Sequence, residues 1–304
     1  MKAKTKRLGC KIFLHKYGAY YLMLLPLMLC LLIFSYLPMV GVLYAFTDYS
    51  PFRTELHFVG FTNFKNLFAN AGFWQAFKNT LQISTMRLLI VTLGSIGLAL
   101  LLDELRAVWF RKITQTFVYI PHFMSWVVVA SVFTMLLSPK TGFVNSVIDS
   151  LGGERIYFLA NKEWWRPVLY LISLWKEMGW GAIIYVSALA GVDMEQHEAA
   201  IMDGANRIQR VWHVTLPAIS GTIMVVFILN LAKILNLFEP VWVLQNAMVL
   251  NVSDVLETYV YRMGISGAQY GISTAAGLFK SVVSVLFVLL GNKLSKRITG
   301  EEVI

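Results

Sequence analysis

Residues 198–218 read EAAIMDGANRIQRVWHVTLPA: a short polar helix, a glycine, a second amphipathic stretch and a Leu-Pro, set between two strongly hydrophobic blocks. Asp193 is placed to cap a helix through Glu195, Glu198, Ala199, Ala200 and Met202, because its carboxylate accepts free N–H groups of a first turn and acidic residues there suit the helix dipole. Gly204 permits a tight change of direction without a Cβ penalty. Beyond it Ile208, Val211, Trp212 and Leu216 recur at helical spacing, so one apolar face lies against a membrane or a partner. Pro217 sits where the chain turns into the next hydrophobic block. On residues alone, the alternative reading of the segment is an ordinary amphipathic connector.

The flanking blocks set its context. The chain has 304 residues, 57% hydrophobic and only 14% charged, against about 25% charged in soluble domains. A spanning helix needs about 20 mostly apolar residues, and six segments qualify, at 20–46, 79–102, 113–137, 168–190, 219–243 and 273–291. The expectation is an all-α polytopic membrane protein with six transmembrane helices. Residues 1–19 form a basic N-terminus, 20–292 a six-span domain with a polar loop at 191–218, and 293–304 a C-terminal tail.

A net charge of +9 does not imply nucleic acid here, because the cations cluster at the ends of hydrophobic segments. Lys2 to Lys16, Arg106 to Lys112, Arg207, Arg210 and Lys293 to Arg297 fall on one side, and they outnumber Arg53, Lys65, Lys78, Lys140, Arg155, Lys162, Arg166 and Arg262 on the other. By the positive-inside rule both termini and the 191–218 loop are cytoplasmic. The first block is long and lacks a small-residue cleavage pattern, so it reads as a retained span rather than a signal peptide. Cys10 and Cys30 have no metal-type spacing and no assigned role. Trp164-Trp165 suits an aromatic interface belt.

Catalytic signatures are missing from the sequence: it has no H-E-x-x-H, no G-x-S-x-G and no Cys/His ligand cluster. The phosphate-cradling G-x-x-x-x-G-K-[ST] pattern is also missing, and the glycine spacing around Gly277 and Lys280-Ser281 is wrong for it. If ATP drives this protein, another chain binds it.

The run Glu198-Ala199-Ala200, Asp203-Gly204-Ala205 and, eleven residues later, Leu216-Pro217 resembles the EAA loop of binding-protein-dependent ABC importer permeases. Residues 175–218 and 252–283 are similar to the polysaccharide-type branch of the sugar permeases common in Gram-positive bacteria, and with the six spans the resemblance covers nearly the whole chain. It implies the type I importer architecture, with the EAA loop as a coupling helix docked on a cytoplasmic ATPase. Glu198 would then meet a basic group on that ATPase, Gly204 would set the turn and Leu216-Pro217 would fix the helix to the next span. Gly221 stands where the family often has a second proline, which leaves open the angle at which span five starts. The implied partners are a second related permease, two ATPase subunits that carry ATP and magnesium, an extracellular solute-binding lipoprotein, an oligosaccharide and membrane lipid. No cofactor is expected on this chain.

Polar groups inside spans are costly and therefore informative. Arg87, Lys176, Glu177, Asn230, Lys233 and Asn236 are of this kind. At about 100° per residue, Asn230, Lys233 and Asn236 would form one stripe on span five with Lys233 in the middle. The resemblance places that stripe on the second substrate-facing segment of the maltose-type permeases, and puts Trp175 and Trp180 at their aromatic sugar contacts. The expected substrate-binding set is therefore Trp175, Glu177, Trp180, Asn230, Lys233 and Asn236. The alternatives are that the tryptophans anchor or pack the helices, that Lys233 pairs with Glu177 or Glu239, and that Arg87 and Lys280 are structural or snorkelling residues. At the level of function, the alternatives are a permease for a small polar solute such as glycerol phosphate, or a non-ABC membrane enzyme or channel.

Overall fold

The computed structural model describes residues 2–52 and 55–299, with side chains for 17–52, 55–293 and 295–297. Arg53, the basic side chains of the N-terminal head and the end of the C-terminal tail lie outside the described residues. No strand occurs among the described residues; a single antiparallel bridge joins Thr47 to Phe58.

The chain opens with α1 (Lys2–Leu31), which continues through a π turn (Leu32–Tyr36) and a 3-10 segment (Leu37–Phe46). Tyr17–Phe46 is apolar enough to cross a membrane, and none of its apolar window is buried inside the chain. Most of its side chains are exposed on this chain, whereas Ala45 near its end is buried in the core. After α2 (Thr62–Ala69), α3 (Ala71–Asp103) makes the second long apolar helix. Asn70 starts α3 by accepting from Gly72 N at 2.8 Å, an N-cap of the ordinary kind.

The next span is broken. Helix α4 (Val108–Phe123) meets α5 (Trp126–Leu136) at a bend of 101°. Ser125 caps the second arm by accepting from Val128 N at 3.3 Å. Helix α6 (Phe143–Ser150) and an irregular loop lead to α7 (Trp165–Leu189). This 25-residue helix packs mainly against α3 and also against α4. Close approach to α4 depends on Gly179, where an added Cβ would overlap the Val118 carbonyl oxygen.

The loop region comprises α8 (Met194–Met202), α9 (Arg207–Arg210), a π turn (Val211–Thr215) and α10 (Leu216–Ala218). Helix α11 (Ser220–Leu231) leaves it at a bend of 64° at Ile219, two residues past Pro217. Three short helices follow: α12 (Glu239–Leu244), α13 (Leu250–Ser253) and α14 (Leu256–Tyr261). A π turn (Arg262–Ser266) then leads to α15 (Tyr270–Thr299).

By length and hydropathy, three helices among the described residues can cross a membrane, or five if each bent pair is one span. The remaining expected segment, 168–190, corresponds to α7, whose middle carries Lys176 and Glu177.

One expectation is overturned. Span five was read as a continuous helix over 219–243, but α11 ends at Leu231 and the chain resumes a helix only at Glu239. Between them Lys233 N bonds Asn230 O, Ile234 N bonds Leu231 O and Asn236 N bonds Lys233 O, at 2.9–3.1 Å. These are three-residue turns rather than α-helical bonds. Pro240 gives the reason: a helix running through it would need its missing N–H and would drive its ring into the Asn236 carbonyl. At the first turn of α12 the same residue is well placed.

Apolar side chains gather in four clusters. The largest joins Ile83, Trp126, Val129, Trp165, Leu169, Leu237, Val241 and Val255. Within it Trp165 Nε1 donates to Leu244 O at 3.0 Å, which satisfies the polar atom of a fully buried ring. Another cluster packs Ala99, Ala182, Tyr185, Leu189 and Ile219, with Leu216 against its edge. It ties the loop region to α3, α7 and α11.

Candidate functional site

The interrupted span and its neighbours bring polar residues to one cavity. Arg87 and Thr92 of α3, Glu177 of α7, and Asn230, Lys233 and Asn236 of the interrupted segment line one cavity of about 270 Å³. Irregular backbone at membrane depth is tolerated where it lines a cavity, and such breaks mark binding sites in transporters.

Charges within the cavity are not balanced. Arg87 Nη2 pairs with Glu177 Oε1, and Arg87 Nε donates to Ser173 Oγ at 3.1 Å. The same guanidinium lies 6.0 Å from the centroid of the Trp126 ring. Glu177 is thus committed to Arg87, and the expected alternative of a Lys233–Glu177 ion pair is replaced by one between α3 and α7. Arg87 accordingly does not snorkel. The Lys233 side chain is exposed and, among the described residues, takes no part in an ion pair or hydrogen bond.

Asn236 is held from another side. Lys280 Nζ of α15 donates to Asn236 Oδ1 at 2.9 Å and to Glu257 Oε1 of α14 at 2.7 Å. Lys280 therefore clasps three elements, the structural one of the two roles the sequence offered for it. Lys176, next to Glu177 in sequence, turns away from the cavity. It is buried, donates to the His122 carbonyl at 2.7 Å and stands 5.5 Å from the Trp126 ring centroid, so it secures the α4–α5 bend.

Trp175 and Trp180 are not brought to this cavity. Trp175 meets Phe133 edge-on at 5.4 Å, and Trp180 stacks on His122 at 4.5 Å with an interplanar angle of 3°. Both keep part of their surface exposed. The intramembrane position of Arg87 was the signal that could have found its part in the cavity. Glu257 carried no such signal, because only the fold brings it beside Lys280.

The second region is the 194–218 loop. Asp193 Oδ1 accepts from Glu195 N at 2.9 Å, as its place in the sequence implied. The end of α8 explains the spacing of the following residues. Ala205 N donates to Ala200 O at 2.9 Å and Gly204 N to Ile201 O at 3.0 Å, with Gly204 at φ +81°. This is a Schellman ending, which requires a left-handed residue at the glycine position. Asn206 and Gln209 then form a reciprocal capping box at 2.8 and 2.9 Å, starting α9.

Glu198, Ala199, Asp203, Gly204 and Pro217 are exposed, and Ala200, Ala205 and Leu216 partly so. Arg207 reaches Glu104 at 3.7 Å, just beyond the end of α3, so the loop also touches the α3–α4 turn. Among the described residues no group of three or more His, Cys, Asp or Glu side chains could hold a metal ion.

Residues 90–300 match the family described as the binding-protein-dependent transport system inner membrane component. Among curated proteins the chain is similar to protein LplB of Bacillus subtilis (strain 168), with 47% identity over 92% of this chain and 89% of the relative. The polygalacturonan/rhamnogalacturonan transport system permease protein YteP of the same organism is 45% identical over 99% of this chain and 94% of its own length. Among solved structures the fold is similar to a chain of a bacterial alginate ABC transporter in complex with an alginate pentasaccharide-bound periplasmic protein. That match has a TM-score of 0.87 and 40% identity, and covers 95% of this chain and 98% of that one.

Proposed function

Since the chain belongs to the binding-protein-dependent transport system inner membrane component family, we propose that it forms half of the pore of an ATP-driven importer of acidic oligosaccharides. Loop 194–218 seats on a separate cytoplasmic ATPase, a second related permease completes the pore, and an extracellular binding protein delivers the sugar. Both termini and the loop face the cytoplasm in this reading, with six crossings in all.

The observation that carries the substrate class is Lys233. A cation at membrane depth is tolerated where it is paired, hydrated in a cavity or used, and this one lines the cavity without a carboxylate partner. Uronate sugars supply that carboxylate and are ionised at neutral pH, since such acids titrate near the ordinary carboxyl range of about 4. Asn230 beside it offers both a donor and an acceptor to sugar hydroxyls. The names of YteP and of the alginate transporter point to the same chemistry in similar proteins.

In the proposed mechanism, ATPase closure moves α8. Leu216 packs against the Ala99, Tyr185 and Ile219 cluster, so the movement passes to α3, α7 and α11, the helices that carry the cavity. Uptake by the complete transporter in proteoliposomes tests the reading. Lys233→Met should keep assembly and basal ATP hydrolysis and lower uptake of tetragalacturonate by tenfold or more, with a neutral oligosaccharide affected less. Wild-type uptake of tetragalacturonate by Lys233→Met would remove Lys233 from the path. A wild-type transporter that moves glycerol phosphate and no sugar would overturn the substrate class.

A further inference from the structure

Beyond the Lys280 clasp lies a second cavity, of about 380 Å³, between α14, the Arg262–Ser266 π turn and α15. It adjoins the first cavity through shared chemistry, because Lys280 Nζ holds Asn236 on one side and Glu257 on the other. Its character is different. Lys280 and Glu257 neutralise each other at 2.7 Å, so this cavity adds no free cation.

Its wall is aromatic. Phe238 and Tyr261 line it, and their centroids lie 5.5 Å apart. Trp242 backs both, at 5.4 Å from Phe238 and 4.7 Å from Tyr261. Aromatic faces of this kind cover apolar C–H surface while neighbouring polar groups take hydrogen bonds. Ser273, Tyr270 and Glu257 line the same space. The π turn that closes one side is a local departure from α-helix of a type frequent at functional sites.

The geometry points to a second sugar subsite here, one that takes a neutral, apolar-faced sugar residue of the same oligosaccharide whose uronate lies against Lys233. The two cavities thus read a mixed chain in sequence, one by charge and the other by ring stacking. This inference rests on the transport reading above and adds the composition of the chain carried.

Gly277 supplies the test, since it lines the cavity and, apart from its chain neighbours and its own helix backbone, no heavy atom lies within 4 Å of where its Cβ would sit. Gly277→Leu therefore starts a side chain into the cavity from an open Cβ position, and Tyr261→Ala removes a ring from the wall. Both variants are measured in the complete transporter in proteoliposomes, with two probes: tetragalacturonate, and a tetrasaccharide in which galacturonate alternates with a neutral 6-deoxyhexose. Each variant is expected to lower uptake of the mixed probe by tenfold or more and that of tetragalacturonate by less than twofold. An equal fall with both probes, or no fall with either, overturns the second subsite. Loss of the second permease from the purified Gly277→Leu complex would assign the cavity to a subunit contact and overturn it as well. Failure of the wild-type transporter to move either probe would instead refute the transport reading on which the inference stands.

Discussion

Gly204 shows how far a single residue can be read from sequence. Its place after a short polar helix implied a turn, and the structure gives it a φ of +81° with both bonds of a Schellman ending. A β-branched side chain there is strained by about 1–2 kcal/mol, whereas asparagine tolerates the left-handed region. Gly204→Val should therefore abolish oligosaccharide uptake while the protein still inserts and assembles, and Gly204→Asn should retain a substantial part of it. Equal activity of the two variants would show that the turn does not matter. Lys233 was legible as a costly cation inside a span, but its partner was not. Choosing between Glu177, Glu239 and no partner needs the position of Arg87, which lies 90 residues from Glu177 in sequence.

Among the elements, those with local signals matched the sequence reading closely. Helix α8 starts at its expected cap and ends just before its expected glycine, because both signals act within one turn. Asp193→Ala should cost about 1 kcal/mol of local helix stability. Amide exchange is expected to speed up roughly fivefold over residues 194–202, with the core of α3 and α7 unchanged. Unaltered exchange in α8 would show that the cap contributes nothing. The interrupted span was not legible in the same way. Arithmetic at about 100° per residue assumes a continuous helix, and Pro240 breaks it. Asn230, Lys233 and Asn236 still share one cavity, but Asn230 lies in the last turn of α11 while Lys233 and Asn236 follow it in the unwound chain, so they form no single helical stripe.

For the whole molecule, apolar composition and six hydrophobic blocks were enough to place the chain in a membrane, and the EAA pattern was enough to suggest its family. The 101° bend between α4 and α5 had local signals in Pro121 and Ser125, but the two arms together are apolar enough to read as one span. The orientation inferred from the cations has a direct check. A cysteine placed at Asn206, in a background where Cys10 and Cys30 are replaced by serine, should react with a membrane-impermeant maleimide only from the cytoplasmic side, and one at Gly152 only from outside. The reverse pattern would invert the topology. The central claim is that this chain couples a sugar pathway to a separate ATPase through the 194–218 loop. ATP hydrolysis by the assembled transporter in proteoliposomes, with and without oligosaccharide-loaded binding protein, tests it most directly when wild type is compared with Glu198→Lys. The account predicts at least a severalfold stimulation in the wild type and none in the variant, with subunit stoichiometry unchanged. Equal stimulation in both would contradict it.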